Sequence, residues 1–314
     1  MQFIGNRYDI LNYNGKVEVG KFYKARDTYY NNIVYIKVIN HFNKIKDTFR
    51  VDLIDESTVA NDIQLPQVAK INRNGIHCTE FDVYYYIASE YFEGQTLKEY
   101  IYNNDLSKSS IVNITNQIIR AIEGTNLVGL YHGGLNSNNI FIDKNENIKI
   151  YDYGITKAND GVNPRLNDDI NYLCPHQLNI DYTDISSDFF ALGIILFEMV
   201  FRKMPFGYDK TNKERLKSVD KGINWHLLTY KDEYSDILKI IKKLLARKNK
   251  YKTTGEILVD LSSIMYEEAD IYDFKEDIEH EQVIKNTSIK KNSSKLLASA
   301  FIVLLAIMIV VSNF

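Results

Sequence analysis

The chain has 314 residues, 45% of them hydrophobic and 25% charged, which is enough for a packed core in one large domain or two lobes. Its formal net charge is -3, so no overall basic surplus points to nucleic acid. Its two cysteines, Cys78 and Cys174, are too few for a disulfide framework and lack the CxxC spacing of zinc or redox sites; they read as reduced thiols of a cytoplasmic protein.

The opening stretch "MQFIGNRYDI" has no long apolar run, so no secretory signal is expected. "VEVGKFYKARDT" and "NNIVYIKVIN" are rich in β-branched and aromatic residues and read as strands, with "YYNN" as the turn between them. "TFRVDLIDESTVANDI" reads as a helix closed by Pro66. "VAKINRNGIHCTEFDVYYYIASEYF" reads as two or three strands, with "NRNG" as a hairpin turn. After Gly94 the pattern becomes helical, in "TLKEYIYNN" and "SSIVNITNQIIRAIEGTNLVGL". Two short strands, Ile140–Ile142 and Ile148–Tyr151, flank "DKNEN". A long loop follows, then the helical stretches "SSDFFALGIILFEMVF", "YSDILKIIKKLLA" and "TGEILVDLSSIMY". The expected fold class is α+β, with a β-rich lobe over residues 1–92 and a mostly helical lobe over 93–266.

The end of the chain differs in character. "EEADIYDFKEDIEHEQ" (267–282) is acidic and "KNTSIKKNSSK" (285–295) is basic and polar. Together, residues 267–295 read as a charged juxtamembrane linker, either a solvated spacer or a set of lysines that meet anionic headgroups. "LLASAFIVLLAIMIVV" carries no charge from Leu296 to Val311, and with the last three residues it would rise about 28 Å as a helix, close to the hydrocarbon thickness of a bilayer. Its apolar residues cover every face, so a transmembrane anchor is expected over 296–312; a buried or interfacial helix is the alternative. Lys290, Lys291 and Lys295 precede it, which by the positive-inside rule keeps the large N-terminal part on the cytoplasmic face. The expectation is a single-pass C-terminal anchor in the cell membrane.

Seven segments carry the functional signal, in this order: "RYDILNYNGKVEVGKFYKARDT", "VYIK" (34–37), "YIASEYFEGQTL", "YHGGLNSNNI" (131–140), "YDYG", "NYLCPHQL" and "SSDFFALGIILFEMVFRKMPF". From Arg7 to about Met265 this order resembles the Hanks-type serine/threonine protein kinases, and looks closest to the bacterial membrane kinases of Gram-positive organisms. The resemblance implies a bilobal protein-kinase fold with ATP and Mg²⁺ as cofactors. Gly15 and Gly20 match the first and third glycines of the loop that covers the ATP phosphates, with Val17 at the middle position. Lys37 matches the lysine that reaches the α- and β-phosphates. Counting back from Pro66 places Glu56 as its helix partner. Ser89 falls at the gatekeeper position, and Glu90 to Phe92 form the segment to which adenine would bond. Asn139 and Asp152 match the two metal-binding residues, and Asp188 a structural aspartate of the helical lobe.

The departures are as specific as the matches. Gly134 stands in place of the catalytic aspartate, which accepts the substrate hydroxyl proton; a positioned base is worth about 10²–10⁴ in rate, or about 3–5 kcal/mol of barrier. Asn136 replaces the loop lysine, and no other side chain in "GGLNSNN" can act as a carboxylate base. Asp143 is expected to point away. Gly133 replaces the arginine that in many kinases holds a phosphorylated activation loop, and "ANDGVNPRLNDD" contains no Ser or Thr. His176 takes the glutamate position of A-P-E and Lys250 that of its arginine partner, so the usual ion pair is lost. Phe22, Tyr35 and Phe141 replace small residues around the adenine space, which their rings are expected to fill.

These substitutions put ATP and Mg²⁺ in doubt and leave no assigned catalytic residue. The leading expectation is a membrane-anchored pseudokinase, a regulatory or scaffolding module that binds protein at the cytoplasmic membrane face, another kinase among the candidates, and no nucleic acid. The alternatives are an active serine/threonine kinase with an atypical catalytic loop, and a nucleotide-binding switch without phosphoryl transfer.

Overall fold

Six strands form one antiparallel sheet in the order β1-β2-β3-β4-β6-β5. They are β1 (Phe3–Ile4), β2 (Tyr8–Val17), β3 (Gly20–Asp27), β4 (Asn32–Ile39), β5 (Ile71–Cys78) and β6 (Val83–Glu90). The computed structural model describes residues 3–17, 20–39, 58–60, 62–80, 83–153, 170–180, 182–248 and 250–264. Met1–Leu261 forms one compact unit and Ser262–Phe314 a second. Both sheets and the candidate site belong to the first unit.

The period-two geometry of a strand assigns the sheet's two faces. On β4, Val34, Ile36 and Val38 join Ile4, Tyr8, Tyr23, Ala25, Tyr86 and Ala88 in one core. Tyr35 on the same strand faces a different cluster, with Phe22, Ala69, Phe141 and Tyr151. That second face is the one that carries Lys37.

Thr28 to Asn31 form the turn between β3 and β4, where Asn31 adopts a left-handed φ of 55°, as Asn tolerates well. The hairpin expected at "NRNG" is not there: β5 runs straight through it, and the chain reverses only after Cys78. Gly75 serves packing instead. A Cβ on it would meet the Tyr86 hydroxyl at 2.8 Å, so the missing side chain admits the tyrosine ring rather than a turn.

A three-stranded sheet opens the helical lobe, with β8 (Ile140–Ile142) between β7 (Gln95–Thr96) and β9 (Ile148–Ile150). Helix α1 (Leu97–Asn103) starts at a capping box, Thr96 with Glu99, and α2 (Lys108–Asn126) at Ser107. Helices α3 (Pro175–Ile180), α4 (Ile185–Phe201), α5 (Asn212–Lys221) and α6 (Ser235–Leu244) follow, and residues 254–264 are helical. Every residue of α4 from Ser187 to Met199 is buried, which its all-round apolar sequence requires. The sheet-rich and helix-rich parts are stitched by backbone: the Ala69 N–H donates to Ile150 O at 2.9 Å and the Ile150 N–H to Gln67 O at 2.7 Å.

Among the described residues no helix is long and apolar enough to cross a membrane. The expected span over 296–312 and the linker over 267–295 lie outside the described residues.

Candidate functional site

β2 and β3 form the hairpin at the rim of the site. Gly15 lies in β2 within an irregularity of the register between Tyr13 and Lys16, and Gly20 opens β3 opposite Val17. Lys37 sits in β4 opposite Phe22 and Ile87. Its Nζ forms an ion pair and hydrogen bond with Asp152 Oδ2, and both side chains are sheltered from solvent. The fold thus brings into contact two residues 115 positions apart in sequence. Asp152 holds a left-handed φ of 73°, uncommon for any residue but glycine. Glu56 lies outside the described residues.

Around this pair stand four rings. Phe22 and Tyr35 stack at 4.7 Å between centroids. Phe141 lies 5.4 Å from Tyr35 and 5.9 Å from Phe22, and Tyr151 lies 5.0 Å from Phe141 and 5.5 Å from Tyr35. Relative exposures are 8% for Phe22, 3% for Tyr35, 8% for Phe141 and 2% for Tyr151. Tyr91 and Phe92 pack against the group from the segment after β6. Offset and edge contacts of this kind are the favourable arrangements for aromatic rings.

The hydroxyl of Tyr151 decides what the segment after β6 can offer a ligand. It donates to the backbone carbonyl of Glu90 at 2.9 Å. Burial pushes this phenol far above its ordinary pKa, with the Tyr35 ring and Glu90 adding in the same direction, so it stays protonated. The Glu90 carboxylate holds Lys149 at 2.6 Å and the Lys70 N–H at 2.9 Å. Tyr91 accepts a hydrogen bond from Lys24 at 3.0 Å.

The loop from His132 to Asn139 is closed on itself. Asp188, buried in α4, accepts the His132 N–H at 2.9 Å and the Gly133 N–H at 2.6 Å. Gly133 has a φ of 64°, a conformation that glycine adopts without strain. His132 Nε2 lies 2.9 Å from Tyr151 O, and its Nδ1 accepts the Gly134 N–H at 3.3 Å, which fits a neutral ring protonated at Nε2. Asn136 and Asn139 both donate their amides to Gly134 O, at 3.0 and 2.9 Å. Asn139 Oδ1 in turn accepts the Asn136 N–H at 3.0 Å. Both asparagines are buried, and both spend their side chains on the loop. Asp143 caps the β8–β9 turn, taking the Asn145 and Asn147 N–H groups at 2.8 Å each.

His176 begins a separate cluster. With no glutamate at its position it does not stand alone: Nε2 lies 2.9 Å from Ser187 Oγ and 3.4 Å from Asp184 Oδ1. Burial holds its pKa below the ordinary value and Lys250 pushes the same way, against the pull of Asp184. Cys174 beside it is buried, and desolvation raises its thiol pKa, the condition of an inert thiol.

Comparison with known proteins agrees with this geometry. The protein kinase domain family matches residues 8–296. The chain belongs to the Hanks-type serine/threonine protein kinase family. It is 28% identical over 274 residues to a probable serine/threonine-protein kinase of Clostridium perfringens, covering 84% of this chain and 39% of that protein. It is 26% identical over 271 residues to the probable serine/threonine-protein kinase PknB of Lactococcus lactis, covering 83% of this chain and 42% of that protein. To the serine/threonine-protein kinase PrkC of Bacillus subtilis it is 33% identical over 208 residues, 65% of this chain and 32% of that protein. The chain thus spans 32–42% of the length of these relatives.

The structure brings Lys37 together with Asp152, and Gly134 together with Asn136 and Asn139. Sequence reasoning missed Tyr151 and the ring of Tyr91. The available signal was an aromatic residue directly before Asp152, at the end of the strand that faces Phe22 and Tyr35.

Proposed function

We propose that this kinase-family chain is a pseudokinase: a membrane-anchored regulatory or scaffolding module rather than a phosphotransferase. One observation carries the reading. The Tyr151 hydroxyl takes the Glu90 carbonyl, and Phe22, Tyr35 and Phe141 pack beside it as buried core. A protein kinase needs that carbonyl and that volume for adenine, and the residues present here do not fit it. A ring of this size buries about 150–250 Å², as much as a small heterocycle. The phosphate end supports the same reading. Lys37 is committed to Asp152, Asn139 to its own loop, and Gly134 and Asn136 supply neither base nor cation. The apolar run over 296–312 supports a membrane anchor, and lysines 290, 291 and 295 support a cytoplasmic kinase-like domain. Tethering of this kind raises the effective concentration of a partner in the same membrane, so protein partners at the cytoplasmic face, other kinases included, are the expected ligands.

A nucleotide-binding switch is the second reading, because Asp152 and Asn139 keep the metal-side chemistry. Two measurements on the purified full chain separate the cases. A thermal-shift titration with Mg-ATP is expected to leave the melting temperature unchanged, and a transfer assay with radiolabelled ATP is expected to show no incorporation. A nucleotide-dependent rise without transfer favours the switch. Transfer abolished by Asp152→Ala would overturn the pseudokinase reading in favour of an atypical active kinase.

A further inference from the structure

A concavity of about 530 Å³ lies on the N-terminal sheet, lined by Asn6, Arg7, Thr28, Tyr29, Tyr30 and Arg73. It shares no residue with the aromatic cluster of the nucleotide side. Its construction begins with a buried carboxylate. Asp27, 3% exposed, accepts Arg7 Nε at 2.8 Å and Arg7 Nη2 at 2.7 Å, and it also takes the Tyr29 N–H at 2.9 Å. The Thr28 hydroxyl and N–H both donate to Arg7 O, at 2.7 and 3.0 Å. One aspartate thus fixes both the arginine and the β3–β4 turn that carries the tyrosines.

The result is a preorganised cation among rings. The Arg7 guanidinium carbon lies 5.0 Å from the centroid of Tyr30, 5.3 Å from that of Tyr29 and 5.4 Å from that of Tyr8. Bidentate pairing on Asp27 uses Nε and Nη2 and leaves Nη1 outside those two bonds. Arg73 reaches the same cleft from the edge strand β5, and among the described residues no carboxylate pairs with it. Among the described residues, two guanidinium groups against one buried carboxylate leave the cleft with one net positive charge. Tyr29 and Tyr30 are 76% and 69% exposed, with their rings perpendicular at 4.9 Å. Such exposure leaves an open wall, suited to a segment laid across it rather than to an enclosed small molecule. Arginine and tyrosine are also the side chains that dominate binding hot spots.

We propose that this cleft docks an acidic, extended segment of a partner protein. A carboxylate of the segment sits between Arg7 and Arg73, and an apolar side chain packs on Tyr29 and Tyr30. The proposal does not depend on the pseudokinase reading, since an active kinase would present the same cleft.

The probe is a fluorescein-labelled acidic nonapeptide of Asp and Glu with one central Phe, titrated with the full chain and followed by anisotropy. Saturable binding is expected. It should weaken about tenfold or more in Arg73→Glu and in the Tyr29→Ala/Tyr30→Ala pair, and again when salt rises from about 0.05 to 0.5 M. The matching Asn/Gln peptide should bind about tenfold more weakly or not at all. Arg73, Tyr29 and Tyr30 are exposed, so the melting temperatures of these variants should stay close to the parent; if Arg73→Glu lowers it, Arg73→Gln replaces it. No saturable binding, equal binding of the neutral peptide, or equal binding by the variants overturns the proposal. Sedimentation that shows self-association abolished by Arg73→Glu, without peptide binding, also overturns it and assigns the cleft to a second copy of the chain.

Discussion

Tyr35→Ala tests whether the aromatic cluster is core or an empty site with rings at its edge. Tyr35 is almost fully buried and touches Phe22, Tyr91, Phe141 and Tyr151 at 4.7, 4.9, 5.4 and 5.5 Å between centroids. Truncating a fully packed aromatic ring costs about 3–5 kcal/mol, transfer and cavity together. Against a usual domain stability of about 5–15 kcal/mol that is a large fraction. At about 2–4 °C per kcal/mol for a domain of this size, the melting temperature should fall by about 6–20 °C. Urea unfolding followed by near-ultraviolet circular dichroism reads the loss directly, because the tyrosine signal arises partly from these rings. Phe22→Ala should cost a similar amount, and the double variant should cost less than the sum, since the two rings stack on each other. A loss below about 1 kcal/mol for Tyr35→Ala would mean that the ring leaves the cluster freely, as surface substitutions do. The volume would then be open to a nucleotide and the filled-site reasoning would fail.

Tyr151→Phe keeps the ring and removes the hydroxyl, leaving the Glu90 carbonyl without this donor; a loss of about 1–3 kcal/mol is expected in urea unfolding. Lys37→Met strands a sheltered carboxylate on Asp152, at a cost of about 3–5 kcal/mol. Adding Asp152→Asn should recover part of it, and a strictly additive double-mutant cycle would show that the pair is not coupled. Gly134→Asp with Asn136→Lys restores the family's base and cation, yet no phosphoryl transfer is expected in a radiolabel assay, because the adenine groups remain occupied; detectable transfer would refute that ordering of causes. For pH, burial is the main cause that holds the His176 pKa below 6.5, opposed by Asp184 and helped by Lys250. Because the folded pKa lies below the unfolded one, the unfolded chain binds the proton more readily between them, so stability is full above the unfolded pKa and falls as pH drops toward the folded one. Urea midpoints from about pH 8 to about pH 5 should show this slope, and His176→Gln should flatten it.

Much of the fold was legible because the sequence patterns are strong. The alternation in "NNIVYIKVIN" places Tyr35 and Lys37 together on one face, and the continuous apolar run of α4 reads directly as a buried helix. Phe22, Tyr35 and Phe141 could be expected in one cluster because each stands where the family carries a small residue at the same site. Tyr151 could not be weighted in this way. Its role depends on a hydroxyl reaching the Glu90 carbonyl 61 positions away, a tertiary fact with no local signature. The Lys37–Asp152 pair is hidden for the same reason. The "NRNG" segment misled because turn composition and strand packing compete for the same glycine: Gly75 is needed by Tyr86, and that contact is invisible along the chain. His176 was matched only to Lys250, whereas the carboxylate beside it comes from Asp184, already engaged as the N-cap of α4.

The tyrosine at position 151 also relates the departures from the family's catalytic pattern to one another. A bound nucleotide would link the segment after β6 to the helical lobe; here protein groups make that link. Tyr151 holds the Glu90 carbonyl, Lys149 holds the Glu90 carboxylate at 2.6 Å, and Lys37 on β4 holds Asp152. Backbone bonds from Gln67 and Ala69 to Ile150 complete the seam. Each of these contacts ends on β9 or on the two residues after it. A closed arrangement fixed by such groups needs no ligand to persist, and a surface that spans both lobes would keep its shape at any nucleotide concentration. In the proposed reading, that property suits a docking module better than a nucleotide-gated switch. In the same reading, Lys37 and Asp152 serve the seam and Asn139 serves the loop, through the bonds they make with protein groups.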